Sequence, residues 1–136
     1  MAKPLEGIKI VEAAMWAFVP LGGAILADMG ATVIKVEPVT GDPIRGLVTG
    51  AARSDHFDFG WECYNRGKQS ITLDLRTEAG RAVLDQLLAD ADVFLTSILP
   101  PARAKIGIDE ETIRKAFPNC IYATGSPAGQ NGPEAH

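Results

Sequence analysis

Basic residues around one predicted strand are the first group in the sequence that could do chemistry. Arg66 and Lys68 come just before this strand, and Arg76 comes just after it. Arg103 and Lys105 precede a predicted helix further along the chain. Such cations can hold phosphate groups through charge-assisted hydrogen bonds. A solvated turn is an equal alternative, because surface cations are common and exposed ion pairs contribute only about 0–1 kcal/mol.

A glycine-rich stretch after the last predicted strand is the second candidate. Gly125, Gly129 and Gly132 allow backbone conformations that bring N–H groups close to a ligand. Such donors could stabilise negative charge on a thioester or acyl oxygen. A flexible turn is an equally weighted interpretation. Ser126 in this stretch lacks the G-x-S-x-G pattern, so we predict no nucleophilic serine.

The first strand-to-helix turn, residues 13–20, argues against a dinucleotide site. It lacks the G-x-G-x-x-G pattern that lets the backbone approach a pyrophosphate, and Pro20 and bulky side chains occupy the space. Glu37 ends the second predicted strand, where an acid could bind a ribose, but without the glycines we expect an exposed strand-end charge. Trp16 and Phe18 in the turn could line a pocket or belong to the core.

The remaining reactive side chains are weaker candidates. Cys63 and Cys120 are far apart in the sequence, form no metal-type pair and are predicted to be packed thiols. His56 lies beside Asp55 and Asp58 in a long connection, and we expect it to face solvent. We therefore predict no metal site.

Composition restricts the classes of protein further. The chain has 136 residues, of which 46% are apolar and 22% charged, and these values are typical of one globular domain. The net charge of −4 disfavours a nucleic acid partner. No run of about 20 apolar residues is present, so we expect no membrane-spanning segment. Two lone cysteines and a start without a secretory signal predict a cytoplasmic protein.

An alternation of strands and helices must position these candidates. Apolar periodicity and capping residues predict strands at 7–12, 31–37, 70–74, 93–95 and 120–124, and helices at 20–29, 77–90 and 109–117. Pro100 and Pro101 predict a turn, and part of the connection 38–64 is expected to pack down through its aromatic residues. The order favours an α/β fold: a Rossmann-like, doubly wound, mostly parallel sheet with helices on both faces. Ligands of such sheets bind beyond the carboxyl ends of the strands.

Six segments occur together in an order that is more specific than any of them alone. They are PLxGI at 4–8, LADMGATVIKVE at 26–37, GDxxRG at 41–46, NRGKQSITLDL at 65–75, ADV at 91–93 and GQxGP at 129–133. The set resembles the N-terminal part of the family III CoA-transferases, which include formyl-CoA and carnitine CoA-transferases and the related α-methylacyl-CoA racemases. The resemblance covers nearly the whole chain.

The resemblance implies that residues 1–136 are the N-terminal part of a coenzyme A-binding Rossmann-like domain, apparently truncated. It implies a homodimer of interlocked chains acting on an acyl-CoA and a carboxylic acid acceptor. In the transferases an aspartate attacks the acyl-CoA, and in the racemases acid and base residues move a proton beside the thioester. In both branches these residues follow the segment 129–133. We therefore assign no catalytic residue and expect the chain as given to be inactive.

The resemblance also places the coenzyme A site. Leu73 and Arg76 match positions that flank the adenine and the phosphates, with Arg76 in place of a lysine, and Lys105 stands where the family often has a phosphate-binding arginine. The full set of predicted cofactor-binding residues is Trp16, Ala17, Leu73, Arg76, Ser97, Ile98 and Lys105. An NAD-binding oxidoreductase domain and a non-catalytic binding module are the alternatives.

Overall fold

Five strands form one parallel sheet in the computed structural model, which describes residues 2–45, 58–127 and 129. The strands are β1 Lys9–Ala13, β2 Thr32–Glu37, β3 Gln69–Thr72, β4 Val93–Thr96 and β5 Ile121–Thr124. Their order across the sheet is β3-β2-β1-β4-β5, and all the pairings are parallel. The sheet therefore grows outward on both sides of β1, and the doubly wound α/β fold predicted from the sequence is confirmed. Its crevice opens beyond the carboxyl ends of β1 and β4, where the winding reverses.

The described helices are α1 Phe18–Asp28, α2 Phe59–Asn65, α3 Glu78–Ala89, α4 Pro100–Lys105 and α5 Glu110–Ala116. The predicted caps hold, since the Thr77 and Asp109 side chains accept hydrogen bonds from the first turns of α3 and α5. The turn predicted at Pro100 is wrong: the two prolines open α4. Proline fits a first helical turn because its N–H is not needed there.

Part of the connection 38–64 packs down, as expected, in the form of α2. Asp58 caps this helix by accepting from the N–H of Trp61, and the Trp61 ring lies 3.3 Å from the Arg45 guanidinium carbon. The predicted role of His56 in solvent falls outside the described residues.

The core has two layers, one on each face of the sheet. On one face Ala27 of α1 packs with Ile10 and Val33. On the other face the buried side chains come from strands β1, β2, β4 and β5 and from helices α3 and α5, and they include Val11, Leu84, Phe94, Ile113 and Tyr122. Alternate strand residues supply the two faces, as the period of a pleated strand requires. Among the described residues no helix is both long and apolar enough to cross a bilayer.

Helix α1 approaches the sheet closely through Gly23. A Cβ added at Gly23 would lie 1.9 Å from Glu12 Oε2 and 3.1 Å from Lys68 Nζ, whereas a Cβ added at Gly22 would meet nothing within 4 Å. Glycine in a helix interior costs about 1 kcal/mol relative to alanine. A larger residue at position 23 would clash with Glu12. The helix therefore carries the less favourable glycine there, and the buried Glu12 carboxylate can lie directly beneath it.

The adjacent glycines give a matched pair of substitutions. Gly22→Ala is expected to stabilise the protein by up to about 1 kcal/mol, because it adds helix propensity in open space. Gly23→Ala is expected to destabilise it by about 1–3 kcal/mol through overpacking against Glu12. Urea denaturation measures both free energies of unfolding, and equal effects of the two substitutions would contradict the close approach.

Candidate functional site

At the carboxyl ends of the strands, a small cavity of about 190 Å³ lined by Arg103, called here the Arg103 cavity, accompanies two larger cavities. The first, called here the β2–β3 cavity, measures about 310 Å³ and is lined by the ends of β1, β2 and β3. The second, called here the Trp16 cavity, measures about 380 Å³ and lies at the ends of β1, β4 and β5. Met15 lines both, so the two cavities are neighbours. This is the edge at which doubly wound sheets bind ligands.

Five of the seven predicted cofactor-binding residues line these cavities. Leu73, Arg76 and Ile98 line the β2–β3 cavity, and Trp16 and Ser97 line the Trp16 cavity. The other two residues line neither cavity. Ala17 is half-buried at the start of α1, and Lys105 is exposed in the last turn of α4. Their assignment to the site stays a prediction.

The basic residues near β3 do not form one phosphate site. Arg66 pairs with Asp28 on α1, with Nη2 2.6 Å from Oδ2. Arg76 pairs with Asp74 through Nε, 2.8 Å from Oδ1, and its side chain is 80% exposed. Lys68 is buried, so neither the predicted phosphate grip nor the alternative of a solvated turn describes it. Of these three residues, Arg76 lines the β2–β3 cavity.

The Lys68 side chain belongs to a buried charge cluster, called here the Glu12 network, that comprises Glu12, Lys35, Asp42 and Lys68. Lys68 Nζ lies 2.8 Å from both oxygens of Glu12 and from the carbonyl oxygen of Pro20. Lys35 Nζ lies 3.3 Å from Glu12 Oε1 and 2.9 Å from Asp42 Oδ2. Sequence reasoning missed this network, because its members lie on four separate segments.

Burial and ion pairing oppose each other in this network. Burial raises the pKa of Glu12, and the two ammonium groups offset only part of that rise. Burial likewise lowers the pKa of Lys68, with the Glu12 carboxylate acting in the opposite direction. The network holds its charges only because each has a partner at hydrogen-bond distance.

The prediction that Glu37 is an exposed charge at the end of its strand is wrong, because the residue is only 2% exposed. Arg45 donates from Nε and Nη2 to the two carboxylate oxygens at 3.0 and 2.9 Å. The Ser70 hydroxyl donates to Oε1 at 2.7 Å, and the Asp42 N–H donates to Oε2 at 3.2 Å. Burial alone raises the pKa of Glu37, but these donors outweigh it and hold the pKa below its ordinary value. Both oxygens are thus engaged within the protein rather than presented to a ribose.

Trp16 and Phe18 line the Trp16 cavity rather than the core. Trp16 is 50% exposed and Phe18 is 73% exposed. Trp16 has a φ of 68°, which is in the left-handed region that costs a side-chain-bearing residue about 1–2 kcal/mol. Its N–H donates to Asp42 Oδ1 at 3.0 Å, and the neighbouring Met15 N–H donates to Ser97 Oγ at 3.0 Å. Two side chains from other segments therefore hold this strained turn.

The glycine-rich stretch is described only as far as residue 127 and at 129. The Gly125 N–H donates to the Thr96 carbonyl at 3.0 Å, so it is engaged and does not point at a ligand. The Ser126 hydroxyl donates to the Gly129 carbonyl at 2.8 Å. The predicted role of Gly132 falls outside the described residues.

The two thiols differ in their surroundings. Cys120 is buried, as predicted, and burial raises the pKa of its thiol. Cys63 is exposed on α2, so the prediction that it packs in the interior is wrong. Among residues 2–45, 58–127 and 129, no three or more His, Cys, Asp and Glu side chains are grouped as metal ligands would be.

The Glu12 network predicts different effects for two substitutions in the same loop, at Lys68 inside the network and at Arg66 outside it. Lys68→Met is expected to destabilise the protein by about 3 kcal/mol, because it leaves the buried Glu12 charge with a single ammonium partner. Arg66→Met removes a partly exposed pair and is expected to cost no more than about 1 kcal/mol. Urea denaturation measures both, and losses of equal size would contradict the buried network.

Glu37 gives a prediction of pH dependence. Because its pKa is lowered in the folded state, its ionisation stabilises the fold above about pH 5, and this contribution is lost as the pH falls through the lower folded value. The stability difference between the wild type and Glu37→Gln is therefore expected to shrink below about pH 4. Urea denaturation at a series of pH values measures it. Ser70→Ala, which leaves Arg45 in place, should give a smaller change in the same direction, and a difference that does not vary with pH would contradict the assignment.

Comparison with known proteins identifies the family to which this chain is similar. The chain is 35% identical over 131 residues to the cinnamoyl-CoA:phenyllactate CoA-transferase of Clostridium sporogenes, covering 95% of this chain and 32% of that protein. It is 39% identical over 137 residues to the succinate–glutarate CoA-transferase of Agrobacterium fabrum, covering 97% of this chain and 34% of that protein. The chain thus spans about a third of the length of these relatives.

The fold comparison agrees. A crystal structure of a CaiB/BaiF family protein from Brucella suis superposes with a TM-score of 0.88 at 37% identity, over 99% of this chain and 36% of that one. The family described as CoA-transferase family III matches residues 5–136. The resemblance inferred from the six ordered segments is thereby confirmed, and the NAD-binding oxidoreductase alternative is set aside. This chain belongs to CoA-transferase family III.

Proposed function

We propose that this chain provides the coenzyme A-binding part of an enzyme that moves coenzyme A between an acyl-CoA and a carboxylic acid. The observation that carries the proposal is the pair of adjoining cavities at the carboxyl edge of a family III sheet. Ile98 lines one cavity and Ser97, the preceding residue, lines the other. A long cofactor can therefore run across the ends of β1 and β4 from one cavity to the other.

The β2–β3 cavity suits the nucleotide end of coenzyme A. Its walls are mostly apolar, with Val36, Leu73, Ile98 and Ile106 available to pack against an adenine. Arg76 lies at this cavity with an exposed guanidinium. Its pair with Asp74 is exposed to water, and such pairs contribute little, so a phosphate can take the place of Asp74 at low cost.

Lys105 is the second cation in the proposed phosphate site. It lies in the last turn of α4, one residue before Ile106, which lines the β2–β3 cavity. A mobile lysine next to this cavity can follow a phosphate as a point charge, although it cannot form the bidentate contact of an arginine. Arg76 and Lys105 together would supply the positive charge that an otherwise acidic chain needs to hold the cofactor.

The covalent step is proposed to use an aspartate beyond residue 136, as the family resemblance implies. Its carboxylate attacks the thioester to form a mixed anhydride and release the coenzyme A thiolate, which then attacks the anhydride to form an aspartyl thioester and release the first acid. We assign no catalytic residue to this chain and expect it to be inactive by itself. A racemase would use the same cofactor site with proton transfer instead.

We also propose that the full-length protein forms a homodimer and lies in the cytoplasm. Large apolar side chains that are exposed on this chain, such as Phe59 and Ile121, support a homodimer in which they would be covered. Free thiols at Cys63 and Cys120 are typical of a reducing compartment.

The coenzyme A site is tested with a double substitution in the full-length protein. Arg76→Ala with Lys105→Ala is expected to weaken coenzyme A binding at least about tenfold at low salt, because charge-assisted hydrogen bonds to phosphate are lost. The loss should be smaller at high salt, where the wild-type contacts are already screened. Isothermal titration calorimetry measures both affinities.

The control variant also replaces one arginine and one lysine by alanine, but at the amino edge of the sheet, away from the proposed phosphate site. Arg114→Ala with Lys115→Ala alters the last turn of α5, which ends just before β5 begins at the amino edge of the sheet. This pair is expected to leave the affinity unchanged. Equal affinity losses in the two double variants, or no loss in the first, would overturn the proposed phosphate site.

A further inference from the structure

The Trp16 cavity differs in chemistry from the β2–β3 cavity. Its walls include Met15, Trp16, Phe18, Val19 and Pro127, and its polar groups are the hydroxyls of two serines and backbone. The part of its lining that the structure describes contains no charged side chain. A volume of about 380 Å³ is at the lower end of the range for small-molecule sites, so the cavity fits a group of modest size.

The Trp16 ring is held in this wall by buried groups. The left-handed backbone of Trp16 is fixed by Asp42, which is 3% exposed and is itself paired with Lys35. Half of the Trp16 surface nevertheless stays exposed. A strained backbone that does not bury its side chain gains little for folding, and such strain is concentrated at ligand sites.

Phe18 is held by contact with the loop that follows β5. A Cβ added at Gly125 would lie 2.4 Å from Val19 Cγ2 and 3.1 Å from Phe18 Cε1. The glycine therefore lets the loop descend onto the start of α1. The cavity is thus walled by three segments that the fold brings together, rather than by one flexible loop.

We propose that the Trp16 cavity holds the acyl group of the thioester and selects an uncharged, apolar acyl group. Trp16 and Phe18 are then specificity-determining residues, and Asp42 is a positioning residue that acts through Trp16. The inference rests on the proposed function, because it places the nucleotide in the β2–β3 cavity and passes the thioester over Met15, which lines both cavities.

A terminal carboxylate on the acyl group would be poorly served in this cavity. Desolvating a carboxylate without a cation or several donors is strongly unfavourable, whereas an alkyl or aryl group gains from the same walls. The guanidinium of Arg103 lines the Arg103 cavity, which shares Ser97 and Gly125 with the Trp16 cavity, and it donates to the Tyr122 hydroxyl at 3.2 Å. Arg103 does not line the Trp16 cavity.

The test compares acyl-CoA substrates of similar length in the full-length protein. The proposal expects kcat/KM for hexanoyl-CoA to exceed that for glutaryl-CoA by at least about tenfold. Trp16→Ala and Phe18→Ala should each reduce kcat/KM for hexanoyl-CoA about tenfold while changing that for glutaryl-CoA less than about twofold. Phe18 is not among the predicted cofactor-binding residues, so Phe18→Ala should also leave the affinity for free coenzyme A unchanged. Ile25→Ala removes an exposed apolar side chain of α1 that lines neither cavity and is the matched control, with no change expected.

Asp42 is tested through selectivity, which a general loss of stability would not alter. Asp42→Ala is expected to reduce the ratio of the two kcat/KM values towards unity, and Asp42→Asn, which keeps an oxygen for the Trp16 N–H, is expected to restore most of it. The wild-type ratio needs no variant, so the proposal can be rejected even where a substituted protein does not fold.

The outcomes separate this inference from the proposed function. Binding of neither free coenzyme A nor any acyl-CoA would overturn the proposed function, and this inference with it. Binding of coenzyme A together with a preference for glutaryl-CoA would overturn the inference alone, most directly if Arg103→Ala abolished that preference. Equal losses for both substrates in Trp16→Ala would also overturn it.

Discussion

A carboxylate with no exposure to water, that of Glu12 in β1, is the constraint on which the carboxyl edge of this sheet depends. A buried charge is tolerated only with close partners of opposite sign and enough hydrogen bonds. Lys35 brings β2 to it, and Lys68 brings the loop before β3. Lys68 also donates to the carbonyl of Pro20 in α1, which ties the first helix to the same point. One charge therefore fixes the relative positions of four elements.

The same network reaches the candidate site through Asp42. One of its oxygens lies 2.9 Å from Lys35 Nζ, and the other accepts the N–H groups of Trp16 and Ile44. Its own N–H donates to Glu37, whose carboxylate is held by Arg45. The charges that order the scaffold thus also decide the backbone conformation at a cavity wall. This explains how an exposed aromatic ring can be placed reproducibly on a loop.

The two cavities differ in chemistry in the way that the proposed separation of phosphate and acyl recognition requires. One carries an exposed cation beside apolar walls, and the other carries aromatic walls with uncharged polar groups. Phosphate recognition needs charge that can exchange partners with water, whereas acyl recognition needs a surface that water leaves readily. Placing them on opposite sides of the β1 end keeps these two environments apart.

The sequence by itself determined the alternation of elements, the parallel doubly wound sheet and the family, because hydrophobic period, caps and ordered motifs are local properties of the chain. Only the tertiary structure decided that Lys68 is buried, that Glu37 is covered by Arg45, and that Asp42 holds Trp16. Each of these contacts joins residues on different segments, Lys68 and Glu12 being 56 positions apart. Surface cations and strand-end acids look alike in a sequence, and the protonation and exposure of each are set by partners that only folding brings within hydrogen-bond distance.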